Sequence, residues 1–286
     1  LKSGGKRIRP LLTLGSARLC GYKEGNRDIN LAACVELIHN ATLLHDDVID
    51  NSDLRRGIKT ANSLWGNQSS ILVGDYLLSR CFEMMVEDGS AEVLKLLAAT
   101  SSTIAQGEVL QLEHKGEIDL LEDTYFNIIN MKTAALFSAA TKVGACIANK
   151  SKKEKDALES YGKNLGLAFQ IADDALDYFA KDIFFGKKIG KDFYEGKTTL
   201  PLIIIFQRAN KEERSFLKEL FKKEKRNEDD LSETLALINK YKAVQVSLKR
   251  AEYFVNVAYD SLGIFEDSIE KKVLQNLTGF SLNRSF

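Results

Sequence analysis

Along most of this chain, apolar residues return every three or four positions, the period that places them on one face of an α-helix. Pro10 suits a first helical turn, and Leu11, Leu12, Leu14 and Leu19 carry the pattern on until Gly21 stops it. A longer helix is predicted from about 28 to 50, with Leu31, Val35, Ile38 and Thr42 on one face and Asp28 as its N-cap. Further helices are predicted near 69–87, 90–115, 120–149, 154–180, 199–208 and 211–223, with two or three more between 229 and 282. No stretch alternates β-branched and polar residues as a strand would. Only 2 of the 286 residues are proline, so little interrupts these helices. The segment from Lys181 to Lys197 breaks the period: Gly186, Gly190, Gly196 and five lysines make it a cationic loop with the composition of a phosphate-covering lid. No Pro- or Ser-rich linker divides the chain, and a single all-α domain over 1–286 is expected.

Composition narrows the partners. Lys plus Arg and Asp plus Glu are 40 each, and a formal charge of zero argues against nucleic acid, whose binders carry a basic excess. The longest clean apolar run, Leu200 to Phe206, is far short of the roughly 20 residues of a transmembrane helix and contains Pro201. Cys20, Cys34, Cys81 and Cys146 stand singly in apolar stretches and read as core residues of a reducing, cytoplasmic compartment. The chain opens Leu1-Lys2-Ser3 with neither an initiator Met nor a signal-peptide pattern, so a start further upstream is expected.

Two aspartate clusters carry the chemistry: Asp46-Asp47-Val48-Ile49-Asp50 and Asp173-Asp174-Ala175-Leu176-Asp177. Each ends an apolar helical stretch, and positions four apart share a helix face, so Asp46 projects with Asp50 and Asp173 with Asp177. Three carboxylates in one turn repel one another, and neither turn holds a Lys or Arg. Hard divalent cations offset that repulsion, and Mg²⁺ characteristically combines one or two carboxylates with substrate phosphates. Two such clusters suggest two helices facing across a central cavity. A di-iron bundle is excluded, because it needs two Glu-x-x-His pairs and only Glu36 with His39 has that spacing.

Cations complete the pattern. Gly4-Gly5-Lys6-Arg7-Ile8-Arg9 puts a glycine pair and fixed charges before a helix start, which suits a diphosphate. Arg55-Arg56 follows the first cluster and can clamp phosphates, or pair with Asp50 or Asp53. His39 lies two turns before Asp46 on the same face. Lys132 sits beside Thr133 in an apolar helix and needs an anionic partner there. Gln170 precedes Asp173 by one turn, and Gln and Thr offer neutral oxygens to a developing cation.

With these residues in hand, the chain resembles the trans-isoprenyl diphosphate synthases. GGKRIRP, LLHDDVIDNSDLRRG, GDYLLSR, MKTAALF, FQIADDALDY and GKKIGKDFYEGKTTLP run in that family's order from Gly4 to Pro201. The resemblance implies a helical bundle of the isoprenoid-synthase type around a central cavity, joining isopentenyl diphosphate to an allylic diphosphate with two or three Mg²⁺ ions. It implies Asp46, Asp50 and Asp173 as direct Mg²⁺ ligands, with Asp47, Asp174 and Asp177 supporting them. Lys6, Arg9, His39 and Arg56 match the isopentenyl diphosphate site. Arg55, Lys132, Lys187 and Lys197 match the allylic diphosphate site, and Thr133 and Gln170 lie near the forming carbocation. Short-chain members place bulky aromatics where this chain has Ala41 and Thr42, so a deep cavity and a long product are expected, closed lower down by Met84, Met85 or Leu97. The wording is most like octaprenyl and decaprenyl synthases of quinone side chains. The family implies a homodimer, a further helix before GGKRIRP, and loose membrane association for product release.

A terpene cyclase would replace the second aspartate cluster and lack the Lys6/Arg9 site. A non-catalytic subunit of a heteromeric synthase would lose aspartates, yet all six are present. A short-chain synthase is the remaining alternative within the family.

Overall fold

A computed structural model describes residues 6–55, 57–179 and 189–280. Helices α1 (Ile8–Leu19), α2 (Arg27–Ile49), α4 (Asn67–Glu87) and α5 (Ala91–Glu113) form the first half, with short α3 (Ala61–Trp65) between them. Next come α6 (Glu122–Ile129), a π-helical turn (Asn130–Ala134), α7 (Ala135–Ile147) and α8 (Lys152–Leu176). The rest holds α9 (Lys191–Glu195), α10 (Leu200–Arg208), α11 (Lys211–Phe221), α12 (Glu228–Lys240), α13 (Ala243–Ser261) and α14 (Ile269–Phe280). The predicted all-α architecture holds, apart from a two-residue antiparallel hairpin, β1 (Leu54–Arg55) with β2 (Ile58–Lys59).

Three local expectations change. Asn26, not Asp28, precedes the first turn of α2, and Asp28 instead accepts from the Ile29 amide at 2.9 Å. The helix predicted near 120–149 is divided at Asn130–Ala134 by a π turn between α6 and α7, which periodicity in side chains does not reveal. The glycine-rich lysine segment contains a helix, α9, bounded by Gly190 and Gly196 in the left-handed region at φ 74° and 77°. Glycine tolerates that conformation at both ends, so the same residues that read as loop delimit one helical turn.

Helix α8 is the spine. Ser151 and Glu154 close a reciprocal capping box at its start. It packs against α7 on one side and α13 on the other, and α1 and α2 pack on each other and on α7. Two apolar clusters result. One gathers Leu31, Val35, Ile38, Met85, Leu97 and Phe137 between α1, α2, α4, α5, α7 and the start of α8. The other gathers Tyr125, Ile171, Phe193, Leu200, Ile203 and Leu217 around the end of α8 and α10–α13. The four cysteines are free and buried.

The spine and the π turn approach each other closely. A Cβ on Gly166 would stand 2.6 Å from the Ala134 Cα, so only glycine lets α8 run this near the turn. One helical turn later, α8 presents Gln170 to that same turn.

Candidate active site

The first aspartate cluster ends α2. Asp46 and Asp50 are half-buried, whereas Asp47 is buried and takes the Arg55 guanidinium, Nε at 3.0 Å and Nη2 at 2.8 Å on Oδ1. Arg55 therefore pairs with Asp47, not with Asp50 or Asp53. Asn62 Nδ2 donates to the Asp47 and Ser52 carbonyls, and Thr60 Oγ1 donates to Ser52 O at 2.7 Å, which folds the hairpin back onto the helix end.

The second cluster ends α8. Asp173 is exposed, while Asp174 and Asp177 are buried. Asp174 accepts from Tyr125 Oη and from Gln170 Nε2, both at 2.7 Å. Asp177 accepts from the Asp192 amide at 2.9 Å, tying α9 to the end of α8. Lys197 follows α9, and its Nζ lies 2.8 Å from Asp50 Oδ2 and 2.8 Å from Glu195 Oε2. The segment from Gly190 to Lys197 thus joins the two acidic helix ends: its start holds the α8 cluster and its last residue holds the α2 cluster.

The π turn supplies the third wall. Thr133 Oγ1 donates to Gln170 Oε1 at 2.7 Å, so Thr133, Gln170 and Asp174 form one chain of hydrogen bonds. Lys132 Nζ donates to Glu108 Oε2 at 2.6 Å and to Gln111 Oε1 at 2.8 Å, both on α5. A cavity of about 140 Å³ brings together Lys132, Thr133, Gln170, Asp174, Asp192 and Lys197. A more open groove of about 650 Å³ lies elsewhere, between α6, α8 and α13, and contains none of these residues.

Charge is the dominant feature. Burial pushes the Asp46 carboxyl up to about 7, with Glu108 and Asp50 adding to the rise and Lys132 and Arg55 opposing it. Burial also acts on Asp50, but the Lys197, Lys132 and Lys191 ammoniums outweigh it and hold Asp50 below its ordinary value. Asp174 rises to about 6 through burial, against its hydrogen bonds from Tyr125 and Gln170. Burial and the neighbouring Asp177 and Asp174 raise Asp192 well above the carboxylate range. The site holds more carboxylate than its lysines neutralise.

The other predicted residues are distributed as follows. Lys6 is exposed just before α1, and Arg7 beside it pairs with Glu36 on α2. Arg9 lies over the Phe137 ring, 4.5 Å from its centre. His39 is half-buried on α2. Arg56 and Lys187 lie outside the described residues. Ala41 is buried, and Thr42 Oγ1 bonds back to His39 O at 2.8 Å. Met85 and Leu97 are fully buried in the first apolar cluster, with Met84 packed against it. Sequence reasoning missed Tyr125, Asp192, Glu108 and Gln111. An i, i+3 acid–amide pair on apolar α5 was a readable sign of the last two; the π turn they face was not.

Does this donor set fit Mg²⁺? Its donors are hard oxygens, and burial beside other carboxylates makes Asp46 resist ionisation until positive charge arrives. Among the described residues no group of three or more His, Cys, Asp or Glu side chains could hold an ion by itself. A cation that completes its shell with substrate phosphates needs no such group. Thr198 Oγ1, buried in the cavity wall, has no hydrogen-bond partner among the described residues, as expected of a donor awaiting an anion. The residues fit.

Residues 1–238 match the family described as Polyprenyl synthetase. The chain belongs to that family. It is 40% identical over 285 residues to octaprenyl diphosphate synthase of Escherichia coli K12, spanning 99% of this chain and 87% of that one. The crystal structure of a decaprenyl diphosphate synthase from Rhodobacter capsulatus superimposes with a TM-score of 0.95 at 44% identity, over 99% of this chain and 87% of that chain. A Caulobacter crescentus CB15 polyprenyl synthase, solved with calcium and isoprenyl diphosphate, gives 0.94 at 43% identity, over 99% and 86%. The all-α bundle is therefore the isoprenoid-synthase fold, and the chain is a prenyltransferase.

The raised Asp46 pKa has a consequence for stability without metal. Asp46 binds its proton up to about pH 7 in the folded chain and releases it near 3.8 when unfolded. Its contribution is therefore present at low pH and falls as pH rises from about 4 to about 7, by at most about 1.4 kcal/mol per pH unit. Asp46→Asn should gain melting temperature relative to the metal-free parent across that window. A constant difference at every pH would contradict the assignment.

Proposed function

We propose that the chain elongates an allylic diphosphate primer, farnesyl diphosphate for one, with isopentenyl diphosphate into a long-chain all-trans polyprenyl diphosphate used as a quinone side chain. The observation that carries this reading is the meeting of Lys132, Lys197, Thr133 and Gln170 in one cavity between the two acidic helix ends. Lys132, Lys197, Lys187 and Arg55 hold the allylic diphosphate. Lys6, Arg9, His39 and Arg56 hold isopentenyl diphosphate. Asp46, Asp50 and Asp173 would hold two or three Mg²⁺, which when bound neutralise the leaving diphosphate; Asp47, Asp174 and Asp177 keep the helix ends in place.

The chemistry asks little of side-chain acids or bases. The allylic C–O bond breaks, the isopentenyl double bond forms the new C–C bond, and the resulting cation loses a proton to the released diphosphate. Lysines stabilise charge as it develops on the leaving group. Because the Thr133 hydroxyl directs its proton to Gln170 Oε1, its lone pairs are left to face the allylic cation. Both groups are weak nucleophiles and stabilise without capturing it. Leu120, Ile128 and Ile129 on the cavity wall help to keep water from that cation.

Ala41 beside Thr42 supports the long-chain reading, as do the names of the relatives. Exposed apolar residues support a homodimer: Trp65, Leu72, Tyr76 and Val86 on α3 and α4 stand 65–70% exposed, and Val109 and Leu112 on α5 are exposed too. Zero net charge and a chain in which no described helix could cross a membrane accord with a cytoplasmic enzyme that meets lipid loosely at product release.

Two experiments test these readings. Incubation with farnesyl diphosphate, labelled isopentenyl diphosphate and Mg²⁺ should give one long polyprenyl diphosphate, abolished by chelator, and Ala41→Phe should shorten it. No incorporation by the folded chain would overturn the activity, and an unchanged Ala41→Phe product would overturn the role of residue 41. Light scattering should read twice the chain mass and Tyr76→Glu about one chain mass; a parent that is already monomeric would refute the dimer.

A further inference from the structure

Lys132 is held by a part of the molecule that no motif marks. It stands in the π turn, which runs against α5 at Gly107: a Cβ there would lie 2.8 Å from Met131 Cβ and 2.9 Å from the Lys132 amide nitrogen. This contact brings the next residue, Glu108, and its neighbour one turn on, Gln111, onto the lysine. An ammonium has three N–H donors. Two go to α5, at 2.6 and 2.8 Å, which leaves one for a ligand in the cavity. The lysine is only 23% exposed and the Glu108 side chain 17%, so solvent screens the pair little. The Glu108 carboxylate is directed at Lys132 and not at the solvent.

We infer that Glu108, with Gln111, is a positioning residue that fixes the Lys132 ammonium where the leaving diphosphate of the allylic substrate develops its charge. The inference rests on the proposed activity and adds the element that aims its cation. A π turn widens the backbone by one residue per turn and commonly occurs at functional sites, because it turns a side chain that a regular helix would place elsewhere. Here α5 recognises the turn through Gly107 and the side chain through Glu108, so a single helix sets both the backbone and the terminal atom of Lys132.

The test compares Glu108→Ala and Glu108→Gln in steady-state prenyl transfer, each with a thermal melt. Glu108→Ala should lower kcat by about tenfold to a hundredfold, the scale of a misplacement near 1 Å, with the KM for isopentenyl diphosphate little changed. Glu108→Gln keeps an acceptor for the ammonium and should recover most of that loss. In a Lys132→Ala background, removing Glu108 should cost almost nothing further. Full activity in Glu108→Ala, or an equal loss with and without Lys132, would overturn the positioning role while leaving the activity standing. A lowered melting temperature with unchanged kcat would also overturn it, since that is what packing alone predicts. Absence of prenyl transfer in the parent chain would overturn both readings together.

Discussion

Everything in this site depends on the repulsion between carboxylates gathered at two helix ends. α2 and α8 each finish in a turn of aspartates, and the fold brings those ends together across a partly dry cavity. In such surroundings like charges are costly, and the chain answers in two ways. It engages the inner members, Asp47 with Arg55, Asp174 with Tyr125 and Gln170, Asp177 with the Asp192 amide. It leaves Asp46 and Asp50 half-buried and Asp173 exposed, with Lys197 on Asp50. The buried three fix the geometry, and carboxylate gathered in this way suits a divalent cation that arrives with substrate phosphates.

The cations are arranged by the same logic. Lys132 and Lys197 approach the cavity from different elements, and each rests on a carboxylate. Burial alone would make Lys197 easier to deprotonate, but Asp50, Glu195 and Asp192 more than reverse this and keep it charged. On the proposed function, a diphosphate would meet cations that are already charged and held in place. Preorganised charge of this kind is effective where charge appears during the reaction, because little has to move when it does.

Much of this was legible in the sequence. The helical period, the scarcity of proline and the two aspartate turns indicated the all-α class, most helix positions and the six acidic residues. Family-like motifs then pointed to Lys132, Thr133, Gln170 and Lys197, which converge on one cavity. What remained hidden depends on contacts distant in sequence. The pairing of Arg55 with Asp47 needs the hairpin, α9 needs two glycines in left-handed conformations, and the grip of Glu108 on Lys132 needs a π turn. Side-chain periodicity reports which face is buried, not which polar groups meet across it.

The carboxylates and lysines together suit a metal–diphosphate pair, not a free-standing metal ion. Calorimetric titration of Mg²⁺ into the chain, with and without inorganic diphosphate, tests this most directly. Weak uptake alone and at least tenfold tighter uptake with diphosphate present, about 1.4 kcal/mol of coupling, is the predicted result. Equal Mg²⁺ affinity with and without diphosphate would contradict the account.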